Sequence, residues 1–134
     1  MSVNETDSKG IVTIPSIYSL PETVERIQQT IRAKGLMLFA VIDHSGEAAK
    51  VGLKMQDAKL VLFGSPKAGT PLMVASPLIA LDLPLKALIW KDSEGRVLVS
   101  YNSTAYLAER HSLPRDLTKN IAGIDAIIDS ALSG

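Results

Sequence analysis

The chain has 134 residues, of which 46% are hydrophobic and 21% are charged. This length and balance indicate a single globular domain with a packed core, not a disordered chain. Fourteen basic residues balance fourteen acidic ones, so no net positive field is present to attract nucleic acid or anionic lipid. We therefore expect no nucleic-acid partner.

The chain contains no cysteine, which excludes disulfides, thiolate chemistry and cysteine-ligated zinc. Its first ten residues are polar and lack the apolar centre of a secretory signal. The uncharged stretch 68–81 contains two prolines and is shorter than the roughly twenty residues of a membrane-spanning helix. The sequence therefore predicts a cytoplasmic protein with no membrane partner.

Residues 1–10 are predicted to be a flexible segment, followed by one α+β domain over residues 11–134. Apolar and polar side chains alternate over residues 11–18, which is typical of a strand. Pro15 interrupts this pattern. Because proline has no N–H to give to a neighbouring strand, we expect an edge strand here.

A capping-box pattern, Ser19-x-x-Glu22, predicts the start of a helix. Val24, Ile27 and Ile31 follow at spacings of three and four and predict its buried stripe. Gly35 predicts the end of this helix. Residues 36–42 are continuously apolar and predict a central strand. Asp43 to Glu47 is predicted as a turn, with Ser45 capping a short helix.

The stretch K-L-V-L-F-G-S-P-K-A-G-T-P-L-M (59–73) is expected to organise the domain. It predicts a strand over residues 59–63, a polar loop from Gly64 to Gly69, and a helix that begins with Thr70 as N-cap and Pro71 as first residue. Unpaired backbone N–H groups at such a junction can bind an anion or a polar ligand group.

The C-terminal half predicts a hairpin and two helices. Strands are expected at residues 83–91 and 96–101, joined by a turn containing Gly95. Helices are expected at residues 104–111 and, after Pro114, at residues 117–132. The mixed order of strands and helices favours an α+β two-layer sandwich with helices packed on one face of the sheet.

Four phrases of the chain are similar to those of a known bacterial family. They are K-G-L-M-L-F-A-V-I-D-H-S-G-E-A-A (34–49), F-G-S-P-K-A-G-T-P-L-M (63–73), D-L-P-L-K-A-L-I-W (82–90) and S-Y-N-S-T-A-Y-L-A-E-R-H (100–111). Over residues 14–113 the chain resembles the domain-of-unknown-function 302 family. Ser65 stands where that family commonly has Asn.

The resemblance implies a TBP-like fold with a curved, mainly antiparallel sheet, and a homodimer. It implies no particular activity. It directs attention to Asp43 and His44, and to the phrase that contains Thr70 and Met73.

Several kinds of catalytic site are disfavoured. The spacing of Gly64, Gly69 and Thr70 is similar to that of a phosphate-binding P-loop, but the lysine of that motif is missing and Lys67 lies inside the loop instead. Asp43, His44 and Ser45 are the residue types of a hydrolase triad, but the chain has no G-x-S-x-G motif.

Three interpretations of function stay open. The first is a homodimeric binding module for a small anionic or amphipathic ligand, with Asp43, His44, Gly64, Lys67, Gly69 and Thr70 as candidate ligand-binding residues. The second is a haem or metal protein in which His44, alone or with Met73 or a symmetry-related His44, supplies the ligands. The third is an enzyme that uses Asp43, His44 and Lys67 in acid–base catalysis.

Overall fold

The computed structural model describes residues 5–7 and 9–133, and residue 5 by its backbone only. Its strands are β1 (Glu5–Thr6), β2 (Ile11–Ser16), β3 (Met37–Asp43), β4 (Ala58–Gly64), β5 (Leu85–Lys91) and β6 (Val97–Asn102). Its helices are α1 (Leu20–Ala33), α2 (His44–Lys50), α3 (Pro66–Ala75), a 3₁₀ helix (Pro77–Leu81), α4 (Thr104–Arg110), α5 (Arg115–Thr118) and α6 (Ile124–Leu132).

The strands form one sheet in the order β1-β2-β6-β5-β4-β3, and all of these pairs are antiparallel. The sheet and its helices confirm the predicted α+β sandwich. The hairpin of β5 and β6 is also confirmed, and Gly95 in its turn has a φ of 80°.

Helix α1 follows its sequence pattern closely. The Ser19 side chain accepts a hydrogen bond from the Glu22 backbone N–H, and Gly35 beyond the helix has a φ of 73°. The predicted stripe is buried: Ile27 and Ile31 have no exposed surface, and Val24 is 5% exposed. The prediction of this helix is therefore confirmed.

The main core lies between the sheet and the helices α1 and α6. Phe63 of β4, Ile89 of β5 and Val99 of β6 are fully buried there, together with Ile128 of α6. Each large apolar side chain buried in this way stabilises the fold by about 1.5–3 kcal/mol relative to an exposed one. This packing fixes the sheet on which the other segments depend.

The prediction of a central strand at residues 36–42 is wrong in its position. In the described part of the chain, β3 is the last strand of the sheet and pairs only with β4. A register shift between Leu38 and Ala40 leaves Phe39 as an extra residue, a β-bulge. A continuous apolar run does not identify a central strand, because pairing is decided by distant segments.

The predicted edge strand, β2, pairs with β6 along its whole length and with the short β1 at Val12 and Thr13. Glu5 and Thr6, assigned above to a flexible segment, thus form a strand. Pro15 lies beyond the reach of β1, so its missing N–H costs no pairing on that side. Residues 1–4 and 8 of the predicted segment lie outside the described residues.

Helix α3 begins five residues earlier than predicted. Ser65 is its N-cap and accepts a hydrogen bond from the Ala68 N–H, and Pro66 is its first residue. The segment predicted as a loop is therefore the first turn of the helix, and Thr70 and Pro71 lie inside it. The helix stops before Pro77, which starts the 3₁₀ helix, as expected for a break at that proline.

The single helix predicted over residues 117–132 is divided. Helix α5 ends at Thr118 and α6 starts at Ile124. Ile121, between them, packs with Leu72, Ile79 and Leu107 in a second apolar cluster. The apolar spacing identified residues that are buried, such as Ile121. It does not identify a continuous helix, because residues 119–123 between α5 and α6 are not helical.

The cap of α3 gives a first testable prediction. Ser65→Ala should lower the free energy of unfolding by about 1 kcal/mol, because the Ala68 N–H loses the side-chain acceptor and keeps only the Ser65 carbonyl oxygen. Ser65→Asn should change it by less than about half of that, because Asn and Ser cap helices about equally well. Urea denaturation measures both changes. Ser93→Ala in the exposed turn is the control, and an equal loss in S65A and S65N would contradict the capping role.

Candidate functional site

A cavity of about 300 Å³ lies where β4 passes into α3. This volume is at the lower end of the range of small-molecule pockets. The residues that line it come from β3, the junction between β4 and α3, the start of β5 and the segment between α5 and α6. They are Phe39, Gly64, Ser65, Pro66, Ala68, Gly69, Thr70, Met73, Leu83, Pro84, Leu85, Asn120 and Ile121.

Two glycines help to keep this cavity open. A Cβ placed on Gly69 would lie 3.7 Å from Leu83 Cδ1 and 3.9 Å from Met73 Cε, both at ordinary contact distance. A Cβ on Gly64 would lie 3.9 Å from Phe39 Cε2. A methyl group fits at either position, whereas a larger side chain would extend into the space between the lining residues.

The cavity wall is apolar apart from a few neutral polar groups. Ser65, Thr70 and Asn120 contribute hydroxyl and amide groups, and none of the lining residues carries a charge. Asn120 donates from Nδ2 to the Ala68 carbonyl oxygen at 2.9 Å, which directs its amide to the first turn of α3. The wall is therefore suited to an apolar or amphipathic molecule with one or two hydrogen-bonding groups.

The backbone at the start of α3 offers less to an anion than the sequence suggests. Pro66 has no N–H, and the Ala68 and Gly69 N–H groups donate to the Ser65 carbonyl oxygen at 3.0 and 2.8 Å. The Ala68 N–H also reaches the Ser65 side chain at 3.2 Å. Ser65 thus satisfies donors that an uncapped helix would present to a ligand.

The structure places the predicted ligand-binding residues in two separate groups. Gly64, Gly69 and Thr70 line the cavity, as does Met73, whereas Lys67 is exposed and does not. Asp43 lies opposite Lys59 at the far end of β4, five residues from Gly64. At about 3.3 Å per residue this is roughly 17 Å. Asp43 and His44 therefore do not share a site with the cavity.

Asp43 has a local structural role that was predicted for Ser45. The Asp43 carboxylate is the N-cap of α2 and accepts from the Gly46 N–H at 2.9 Å and from the Ser45 hydroxyl at 2.8 Å. The Gly46 N–H, followed by the Ser45 hydroxyl, lowers the pKa of Asp43 below its ordinary value. Ser45 in turn accepts from the Ala58 N–H at 3.2 Å, which ties α2 to β4.

His44 and Met73 do not come together as a pair of haem ligands. His44 is exposed at the start of α2 and does not line the cavity, whereas Met73 lies in the cavity wall. Across the described residues, no three or more His, Asp or Glu side chains gather in a way that could hold a metal ion. The acid–base group of Asp43, His44 and Lys67 is likewise divided between the two ends of β4.

A polar cluster that the sequence did not reveal joins the end of α4 to Asp82, the residue that follows the 3₁₀ helix. His111 Nε2 lies 2.6 Å from Asp82 Oδ2, and Arg110 Nη1 lies 3.0 Å from the same oxygen. The His111 side chain is only 6% exposed. His111 is the C-cap residue of α4, and Asp82 is the partner of its side chain.

Lys86 is a charged residue inside the sheet, because its strand β5 lies between β4 and β6. Its ammonium donates to the Pro84 carbonyl oxygen at 3.0 Å. Burial lowers the pKa of Lys86, and the nearby charge of Asp82 opposes that change. The interaction holds the start of β5, beside the cavity, in place.

Sequence reasoning missed the half of the cavity wall that comes from distant segments. Phe39, Leu85 and Ile121 are ordinary apolar residues without a local signal of a site. Asn120 carried one weak signal, since a polar residue with low helix propensity stood within an otherwise helical pattern. Only the fold brings these residues to α3.

Fold and cavity together define an antiparallel α+β sandwich with a ligand-sized apolar cavity at one end of its sheet. The chain belongs to the family described as domain of unknown function DUF302, whose sequence model matches residues 12–131. A crystal structure of an uncharacterized conserved DUF302 protein from Bacillus stearothermophilus has the same fold. Its TM-score is 0.76 at 15% identity, over 92% of this chain and 95% of that one.

The chain is also similar to part of longer proteins. It is 41% identical over 104 residues to the fluoride-specific ion channel FluC 1 of Brucella suis biovar 1 (strain 1330), covering 78% of this chain and 41% of that protein. The match to FluC 2 of Brucella melitensis biotype 1 has the same identity and covers 38% of the relative. The chain thus spans about two fifths of the length of these curated relatives. Every helix in residues 5–7 and 9–133 is too short or too polar to cross a lipid bilayer.

The lowered pKa of Asp43 gives a second prediction. The folded state favours the charged carboxylate, so it binds fewer protons than the unfolded state. The resulting stabilisation is complete above the ordinary aspartate pKa of about 4 and is lost as the pH falls through the lower folded-state value. Asp43→Asn should therefore destabilise the protein at pH 7 and make a smaller difference under strongly acidic conditions.

Urea denaturation of the wild type and D43N across this pH range measures the difference. Asp92→Asn provides a second case, because the Arg96 backbone N–H lowers the pKa of Asp92 in the same way. A stability difference between wild type and D43N that does not change with pH would contradict the role of the Asp43 charge.

Proposed function

We propose that the chain is a binding module for a small amphipathic ligand, which it holds in the cavity between β4 and α3. The observation that supports this proposal is the lining of the 300 Å³ cavity, in which apolar side chains surround a few neutral polar groups. An alkyl chain removed from water by such a wall contributes about 0.8 kcal/mol for each buried CH₂ group. The module is proposed to act as a homodimer in the cytoplasm.

The cavity favours the amphipathic ligand over the anionic one. No charged side chain lines it, and the Ala68 and Gly69 N–H groups already donate to Ser65. An anion that entered would lose its hydration without gaining an ionic partner. The Thr70 hydroxyl and the Asn120 amide can instead bind a neutral head group such as an alcohol or an amide.

A thermal-shift experiment with octan-1-ol, octanoate and inorganic phosphate tests this proposal. Octan-1-ol and octanoate share a chain length and differ in charge, whereas phosphate has the charge alone. At a hundredfold excess over its dissociation constant, a ligand stabilises a folded protein by about 2.7 kcal/mol, which for a domain of this size raises Tm by roughly 5–10 °C. We expect this rise with octan-1-ol, a smaller one with octanoate and none with phosphate.

Gly69 offers a matched pair of variants for the same experiment. Gly69→Ala should keep binding and raise Tm, because alanine is the better helix former and its Cβ fits at ordinary contact distance. Gly69→Leu should fill the cavity and weaken octan-1-ol binding at least tenfold, by about 1.4 kcal/mol. Unchanged octan-1-ol binding in a folded G69L protein would show that the alcohol binds elsewhere.

Fluoride is a separate ligand to test, because the names of the Brucella relatives refer to it. We expect equal concentrations of sodium fluoride and sodium chloride to give the same Tm, since the cavity presents neither a charged side chain nor the Ala68 and Gly69 N–H groups to an anion. A rise in Tm that is specific to fluoride, and that Ser65→Ala alters, would place an anion site at the start of α3 and overturn this expectation.

A further inference from the structure

The Asn120 side chain is held in one orientation at the cavity wall. Asn120 lies between α5 and α6 and is one of the residues that line the cavity. Its Nδ2 donates to the Ala68 carbonyl oxygen of α3 at 2.9 Å. A carbonyl oxygen can only accept hydrogen bonds, so the amide cannot be turned over to place its own oxygen against Ala68. The Oδ1 atom of Asn120 therefore faces away from that carbonyl group.

This Oδ1 atom is an acceptor without a protein partner. Among residues 5–7 and 9–133, the bond to Ala68 is the only hydrogen bond that the Asn120 side chain makes. In the same residues, the one buried side-chain nitrogen or oxygen that lacks a partner is Thr104 Oγ1. Asn120 Oδ1 is therefore still in contact with solvent, and a ligand that covers it has to replace the hydrogen bonds of water.

The backbone that carries Asn120 is fixed by its neighbours. The Asn120 N–H donates to the Leu117 carbonyl oxygen at 3.0 Å. The next residue, Ile121, is 3% exposed and belongs to the same apolar cluster as the fully buried Leu72 of α3. The acceptor is thus positioned before a ligand arrives, so that binding requires little further ordering of the protein.

The other polar side chains of the wall impose no such restriction. The hydroxyl groups of Ser65 and Thr70 can each donate or accept a hydrogen bond, because a hydroxyl hydrogen rotates to suit its partner. They can therefore adapt to an alcohol, an amide or a ketone. Asn120 Oδ1 can only accept, so it distinguishes head groups by whether they donate.

We propose that Asn120 selects ligands whose neutral head group donates a hydrogen bond, so that the cavity takes alcohols and primary amides in preference to ketones and esters. This inference rests on the proposed function and names the chemical class of ligand at the same site. A ketone of equal size covers Asn120 Oδ1 without giving it a partner, and an acceptor enclosed in this way is costly. Sites built to bind a hydroxyl group reject analogues that lack it for the same reason.

Isothermal titration calorimetry with octan-2-ol and octan-2-one tests this proposal. The two molecules have the same carbon skeleton and differ in the hydroxyl donor. We expect the wild type to bind octan-2-ol roughly tenfold more tightly than octan-2-one. Asn120→Leu has a similar volume without the acceptor, and it should reduce this preference to less than about threefold. Asn102→Leu, at the end of β6 and outside the cavity wall, is the matched control and should keep the preference.

Equal affinities of the wild type for the two ligands, or an unchanged preference in folded N120L, would overturn the inference and leave the proposed function standing. Binding of neither ligand would overturn both. Circular dichroism and Tm establish whether N120L is folded. If it is not, octanamide and methyl heptanoate are compared on the wild type instead, and an ester that binds as tightly as the amide would overturn the inference.

Discussion

The turn from β4 into α3 is the constraint on which the candidate site depends. Phe63 must point into the core between the sheet and α1, and the chain then has to leave the sheet within two residues. Gly64 ends the strand, Ser65 caps the helix, and Pro66 supplies a backbone angle that is already helical. Because α3 starts at once, it lies across the end of the sheet and leaves a space beside β5.

The same turn explains why the site is apolar. A loop at this position would have presented several unpaired N–H groups, which suit a phosphate or a carboxylate. The helical turn instead bonds two of them to Ser65 and directs Gly69 and Met73 to the cavity. It also explains the Ser65 in place of the Asn common in the family, since both residues cap helices well. The side chain at this position acts on the helix, and the amide of Asn is not required for that.

Local patterns predicted those parts of the fold whose causes are local. The cap at Ser19, the stripe of Ile27 and Ile31, and the hairpin turn at Gly95 each depend on residues within a few positions of one another, and all three were confirmed. The start of α3 was predicted too late, because the prediction used Thr70-Pro71 although Ser65-Pro66 carries the same kind of signal five residues earlier. Both pairs are plausible helix starts in sequence, but only Ser65-Pro66 lies where the chain leaves β4.

The position of β3 and the composition of the cavity were beyond the reach of the sequence. An apolar strand can be covered by helices or by a neighbouring chain, and its residues are the same in both cases. Three of the six predicted ligand-binding residues, Gly64, Gly69 and Thr70, lie in the cavity wall. Asp43 and His44 were included because the family resemblance directed attention to them, but antiparallel pairing carries their end of β3 away from Gly64.

Phe39 connects the two properties that distinguish this protein. Its ring belongs to the cavity wall, and its backbone belongs to the free edge. Phe39 is 47% exposed, so its side chain is a part of the wall that water reaches while the cavity is empty. A ligand that packs against this ring removes apolar surface from water, and the bulge that leaves Phe39 as an extra residue therefore contributes to the proposed binding.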